Sequence, residues 1–84
     1  MNRKQRTTLT DLFATPTKRN IRRSDVVSLI RALGGEVIEG SGSRVRFDLR
    51  GVSLNIHSPH PQPELRVYQV KAVREFLAQA GIEQ

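Results

Sequence analysis

RVRFDLRGVSLNIHSPH, residues 44–60, decides the fold because it alternates by twos. Val45, Phe47 and Leu49 are apolar, and Arg44, Arg46, Asp48 and Arg50 between and beside them are charged. Beyond Gly51, Val52, Leu54 and Ile56 are apolar, while Ser53, Asn55 and His57 are polar. Two period-two runs split by a glycine predict a hairpin with one face on a core and one in water. Arg50-Gly51 suits a two-residue loop, Gly51 supplying a positive φ; a type I′ turn would ask the same of Arg50, so the turn type stays open. With that loop the register follows by counting. Leu49 faces Val52, Phe47 faces Leu54 and Val45 faces Ile56 on the dry side. Asp48 faces Ser53, Arg46 faces Asn55 and Arg44 faces His57 on the wet side. Cross-strand Cβ atoms lie about 5 Å apart, so Arg44 and His57 can act on one ligand.

The totals bound what such a hairpin belongs to. A chain of 84 residues, 37% of them apolar, builds one small core and no large enclosed cofactor pocket. Function is therefore expected on a surface, with no cofactor. There is no cysteine, which excludes disulfides and thiolate zinc sites. Two histidines without clustered carboxylates give no coherent metal-ligand set. Fourteen Lys+Arg against eight Asp+Glu leave a net charge of +6, and eleven of the fourteen are arginine. An anionic partner follows, tilted toward phosphate because the guanidinium fork engages it bidentately. A coding bias toward arginine is the plain alternative. No apolar run suffices for a signal peptide or a membrane span, so the expected compartment is the cytoplasm.

Residues 1–20 read as a basic N-terminal arm. Its first seven residues are polar, and Leu9, Leu12 and Phe13 then predict a short helix from about Thr8 to Ala14, stopped at Thr15-Pro16. Two turns cannot stand alone, so this helix docks either on its own core or on another chain. Ser24 reads as the cap of a second helix, with Val26, Val27, Ile30 and Leu33 in one stripe and Gly34-Gly35 at its end. Glu36–Glu39 predicts a short strand, and Gly40–Ser43 a turn into the hairpin. Three prolines among residues 59–63 force an extended segment that carries His60. Gln69–Ala80 predicts the last helix, its face formed by Val70, Val73, Phe76, Leu77 and Ala80, with Gly81 as the stop. The class is α+β, a three-stranded antiparallel sheet covered on its dry side by the two longer helices.

This order of elements resembles the HicA toxins of HicA–HicB toxin–antitoxin pairs. The likeness spans roughly residues 24–82. It rests on LIRALGGEV, on the Gly-Ser turn entering a basic strand (GSGSRVRF), on SPHP after the third strand, and on the closing VREFLAQAGI. The His-x-Pro-His-Pro segment, here HSPHP, and the extra N-terminal helix match one subgroup. The resemblance implies a dsRBD-like (double-stranded-RNA-binding-domain-like) α-β-β-β-α domain over residues 21–84. It also implies messenger-RNA interferase activity and two partners, mRNA and a HicB-like antitoxin.

One departure bears on the chemistry. Typical members carry a catalytic histidine directly after the Gly-Ser turn, where this chain has Gly42-Ser43-Arg44-Val45. Either the activity is lost, leaving a module that binds RNA or antitoxin without cutting, or another side chain moves the proton. Metal-free RNA cleavage needs a base for the 2′-hydroxyl, a donor for the leaving 5′-oxygen and cations around the phosphorus. Histidine can do either proton job, and arginine can only stabilise charge. His57 and His60 are accordingly the candidate catalytic residues, and Ser43, Arg44, Arg46 and Asn55 the candidate RNA contacts. Base reading of DNA by the second helix is a weaker fit, since it carries only Arg31 within Ser24–Leu33.

Overall fold

A computed structural model describes residues 1–57 and 63–83 of the chain. Three helices and three strands follow in the order α1 (Arg3–Leu12), α2 (Arg23–Ala32), β1 (Glu36–Glu39), β2 (Arg44–Leu49), β3 (Val52–His57) and α3 (Val67–Gln79). The strands form one antiparallel sheet in the order β1-β2-β3, so the expected α+β, dsRBD-like arrangement is present.

The hairpin has the counted register. Leu49 pairs with Val52, Phe47 with Leu54, Val45 with Ile56 and Arg44 with His57. Both turn residues have positive φ, 50° at Arg50 and 80° at Gly51, which is the signature of a type I′ turn. The strained position is the non-glycine Arg50, whose guanidinium Nη1 donates to the Ala80 carbonyl at 3.2 Å. That bond ties the hairpin tip to the last carbonyls of α3, where a cation is favoured.

Phe47 is fully buried at the middle of the core, its ring centroid 6.3 Å from that of Phe76. Around it lie Val26, Leu29 and Ile30 of α2, Val45 and Leu49 of β2, and Val70, Val73 and Leu77 of α3. Leu29 joins the buried stripe of α2, while Val27 and Leu33 only flank it. α2 ends in a Schellman motif: Gly34 N–H donates to the Arg31 carbonyl at 3.0 Å and Gly35 N–H to Ile30 at 2.9 Å. Gly35 also lets α2 approach the sheet, since a Cβ there would sit 2.8 Å from the Asp48 carbonyl.

Three boundaries differ from the sequence expectation. α1 starts at Arg3 rather than Thr8 because Asn2 and Gln5 cap each other's backbone N–H groups, at 2.8 and 2.9 Å. Arg22, not Ser24, holds the N-cap position of α2 without a side-chain cap bond, and the first helical N–H, at Arg23, donates to the Pro63 carbonyl at 2.9 Å. α3 starts at Val67, with Gln69 in its third position.

α1 docks on its own chain. Leu12 is fully buried within the core cluster, and Leu9 and Phe13 pack against it. Gln5 Nε2 donates to Ser28 Oγ on α2 at 2.9 Å. Arg74 of α3 reaches the far end, donating to the Leu12 carbonyl at 2.7 Å and to the Ala14 carbonyl at 3.0 Å. These are carbonyls that a helix end leaves without an internal partner. Leu12→Ala should therefore lower the stability of the isolated chain by about 2–5 kcal/mol, read as a drop in the denaturant midpoint. An unchanged midpoint would mean that α1 contributes nothing to the core.

Candidate nucleic-acid interface

The wet face of the sheet is set by the same alternation that buries Phe47. It consists of three cross-strand rows. Arg44 and His57 form the first; Ile38, Arg46 and Asn55 the second; Glu36, Asp48 and Ser53 the third. Ile38 is thus an apolar residue on the solvent side, 48% exposed. Glu39 pairs with Val45 and so belongs to the opposite face, and only Glu36 shares a face with the arginines.

The two arginines of β2 have different neighbours. Arg46 Nε donates to Asp48 Oδ1 at 3.0 Å and its Nη2 to Ser53 Oγ at 3.3 Å, while Ser53 Oγ donates to the same Asp48 oxygen at 2.5 Å. Its charge is thereby drawn toward the acidic row. Arg44 makes no ion pair among the described residues. With Asn55, Ile56 and His57 it lines a shallow depression of about 420 Å³ at the end of the hairpin. The sheet face therefore runs from a cationic end at Arg44 to an anionic end at Glu36 and Asp48.

His57 is held through its backbone. Gln69, almost wholly buried, donates its amide N–H to the His57 carbonyl at 2.7 Å, and its amide oxygen accepts the Arg66 N–H at 2.9 Å. One side chain thus fixes the start of α3 against the end of β3. A glutamine three residues into a helix is a recognisable cap, but its reach to His57 depends on the tertiary fold.

The remaining candidates are placed less centrally. Ser43 has a left-handed φ of 65° at the end of the Gly40–Ser43 turn and is not among the residues lining the depression. His60 lies outside the described residues. A larger groove of about 740 Å³ runs between α2 and the start of β2, lined by Arg23, Ser24, Ser28, Arg31 and Glu39 among others. Among the described residues it mixes cation with anion and is lined by no imidazole, so chemistry favours the smaller depression. No group of three His, Asp or Glu side chains able to hold a metal ion occurs among the described residues. No helix among them is long and apolar enough to cross a membrane.

The Asp48 carboxyl is held below the usual carboxylate range, first by the Ser53 hydroxyl and then by the Arg46 guanidinium, with lost hydration opposing both. A depressed carboxylate contributes stability that is present above its unfolded value and lost as pH falls through the lower folded value. The side-chain carbon of Asp48 should accordingly titrate by NMR below the ordinary value of about 3.9, and Ser53→Ala should move it upward. A midpoint at the ordinary value in the unmodified chain would contradict the network.

A family model described as HicA toxin of bacterial toxin-antitoxin matches residues 23–82. No curated protein and no solved structure matches the chain.

Proposed function

Because the chain belongs to the HicA toxin family, whose members are the toxins of toxin–antitoxin pairs, we propose that it is a metal-independent endoribonuclease, an mRNA interferase acting in the cytoplasm. A HicB-type antitoxin is its partner within such a pair. The observation that carries the catalytic reading is the pairing of Arg44 with His57, both exposed and both lining one depression. In this reading His57 takes the proton from a ribose 2′-hydroxyl as that oxygen attacks phosphorus. The P–O5′ bond breaks, and the departing 5′-oxygen receives a proton from His60 or from water. Arg44 holds the charge that gathers on the phosphoryl oxygens, with Arg46 and Asn55 as further contacts. Ser43 borders the same end of the strand. The Gly-Ser turn is followed by Arg44, where the family typically has a histidine, and His57 brings an imidazole beside that position from the neighbouring strand.

That same departure favours a second reading, a module that binds RNA or antitoxin without cutting. Expression of the chain alone separates the two. Growth arrest with loss of message, relieved by the antitoxin, belongs to the nuclease; arrest-free expression belongs to the binding module. Within the nuclease reading, His57→Ala should slow cleavage by about 10²- to 10⁴-fold while leaving RNA affinity nearly intact. Wild-type cleavage by that variant would remove His57 from the chemistry. Asp48→Asn should release Arg46 toward phosphate, tightening RNA binding and steepening the fall of log K with log salt by about 0.7 per added contact. An unchanged salt slope in that variant would exclude the gain of an Arg46–phosphate contact on release from Asp48.

A further inference from the structure

We propose that Tyr68 is a stacking platform for an RNA base, so that a strand held at Arg44 and His57 continues onto the first turn of α3. This rests on the RNA-cleaving reading above and extends it to the path of the substrate. Among the four aromatic residues, Phe47 and Phe76 are buried and Phe13 packs against the core, whereas Tyr68 is 64% exposed. It stands next in sequence to Gln69, the residue whose amide grips the His57 carbonyl at 2.7 Å. Adjacent Cα atoms are about 3.8 Å apart, so the Tyr68 backbone is tied, through its neighbour Gln69, to the end of β3 that carries His57.

Charge selects this direction over the alternative. From Arg44 the sheet face leads to Asp48 and Glu36, which repel a phosphate backbone. Toward α3 stand Arg66 and Lys71, exposed and without an ion-pair partner among the described residues. Lys71 lies three residues beyond Tyr68 and so neighbours it on the helix surface. An exposed ring with a cation beside it is the arrangement by which single strands are held, bases on the ring and phosphates on the charges. Every base has a π-face, so the contact tolerates any sequence.

The test uses an uncleavable 2′-O-methyl RNA oligonucleotide and the full chain. Tyr68 is the one tyrosine, so its ring protons give a single NMR signature. Binding should shift those protons upfield. Tyr68→Ala should weaken affinity about 5- to 150-fold with an unchanged salt slope, and Tyr68→Phe and Tyr68→Trp should restore it. Tyr68 is not among the residues packed on the core, so the thermal midpoint of Tyr68→Ala should match that of the unmodified chain. If RNA binds while the ring signals stay fixed and Tyr68→Ala binds as well as wild type, the proposal is overturned and the nuclease reading survives. Loss of antitoxin binding alone in Tyr68→Ala would likewise overturn it, assigning the ring to a protein contact. If the unmodified chain binds no RNA, the nuclease reading falls and this inference with it.

Discussion

The register of the β2–β3 hairpin is the constraint on which both the core and the candidate site depend. Because side chains alternate, a slip of one residue would carry Val45, Phe47 and Leu49 into water and bring Arg44 and Arg46 against the helices. Two features prevent that slip. The Arg50-Gly51 turn, with both φ values positive, matches the twist of the flanking strands. Phe47, fully buried between α2 and α3, accepts no other position. The pairing of Arg44 with His57 is thus set by packing on the other face of the sheet, six residues from the turn.

The far ends of the structure are closed by single side chains that span long sequence separations. Arg74 caps the end of α1, Arg50 the end of α3, and Gln69 joins the start of α3 to the end of β3. Each satisfies a carbonyl that the regular elements leave unpaired. Two of the eleven arginines are therefore structural, so the +6 net charge overstates what is presented to a ligand.

What could be read from the chain follows from which interactions are local. The hairpin, its register and the two long helices were legible because period-two and period-3.6 patterns report burial directly. The start of α1 was missed because Arg3–Thr7 has no apolar spacing, although Asn2-x-x-Gln5 is a capping-box pattern in plain view. The start of α2 at Arg23 was not legible at all, since its first N–H relies on the Pro63 carbonyl forty residues away in the chain. Asp48 facing Ser53 was expected as a polar pair. That Arg46 joins it follows from the same alternation, which puts residues 46 and 48 on one face. Gln69 lay hidden because its value to His57 is created only when α3 packs on β3.

The contrast between Arg44 and Arg46 shows why residue type alone does not define a binding surface. Both are exposed arginines on one strand and one face, two positions apart. Arg46 already shares its charge with Asp48 and Ser53, so a phosphate must compete with that network. An exposed pair is worth only about 0–1 kcal/mol, so the competition is winnable, but it subtracts from any contact Arg46 makes. Arg44 carries no such cost and sits beside the imidazole. The sheet face is therefore polarised along its strands, with the arginine unpaired among the described residues at the end nearest the start of α3. A ligand with several phosphates would find its further exposed cations at Arg66, just ahead of α3, and at Lys71, in the second turn of that helix, rather than farther along the strands.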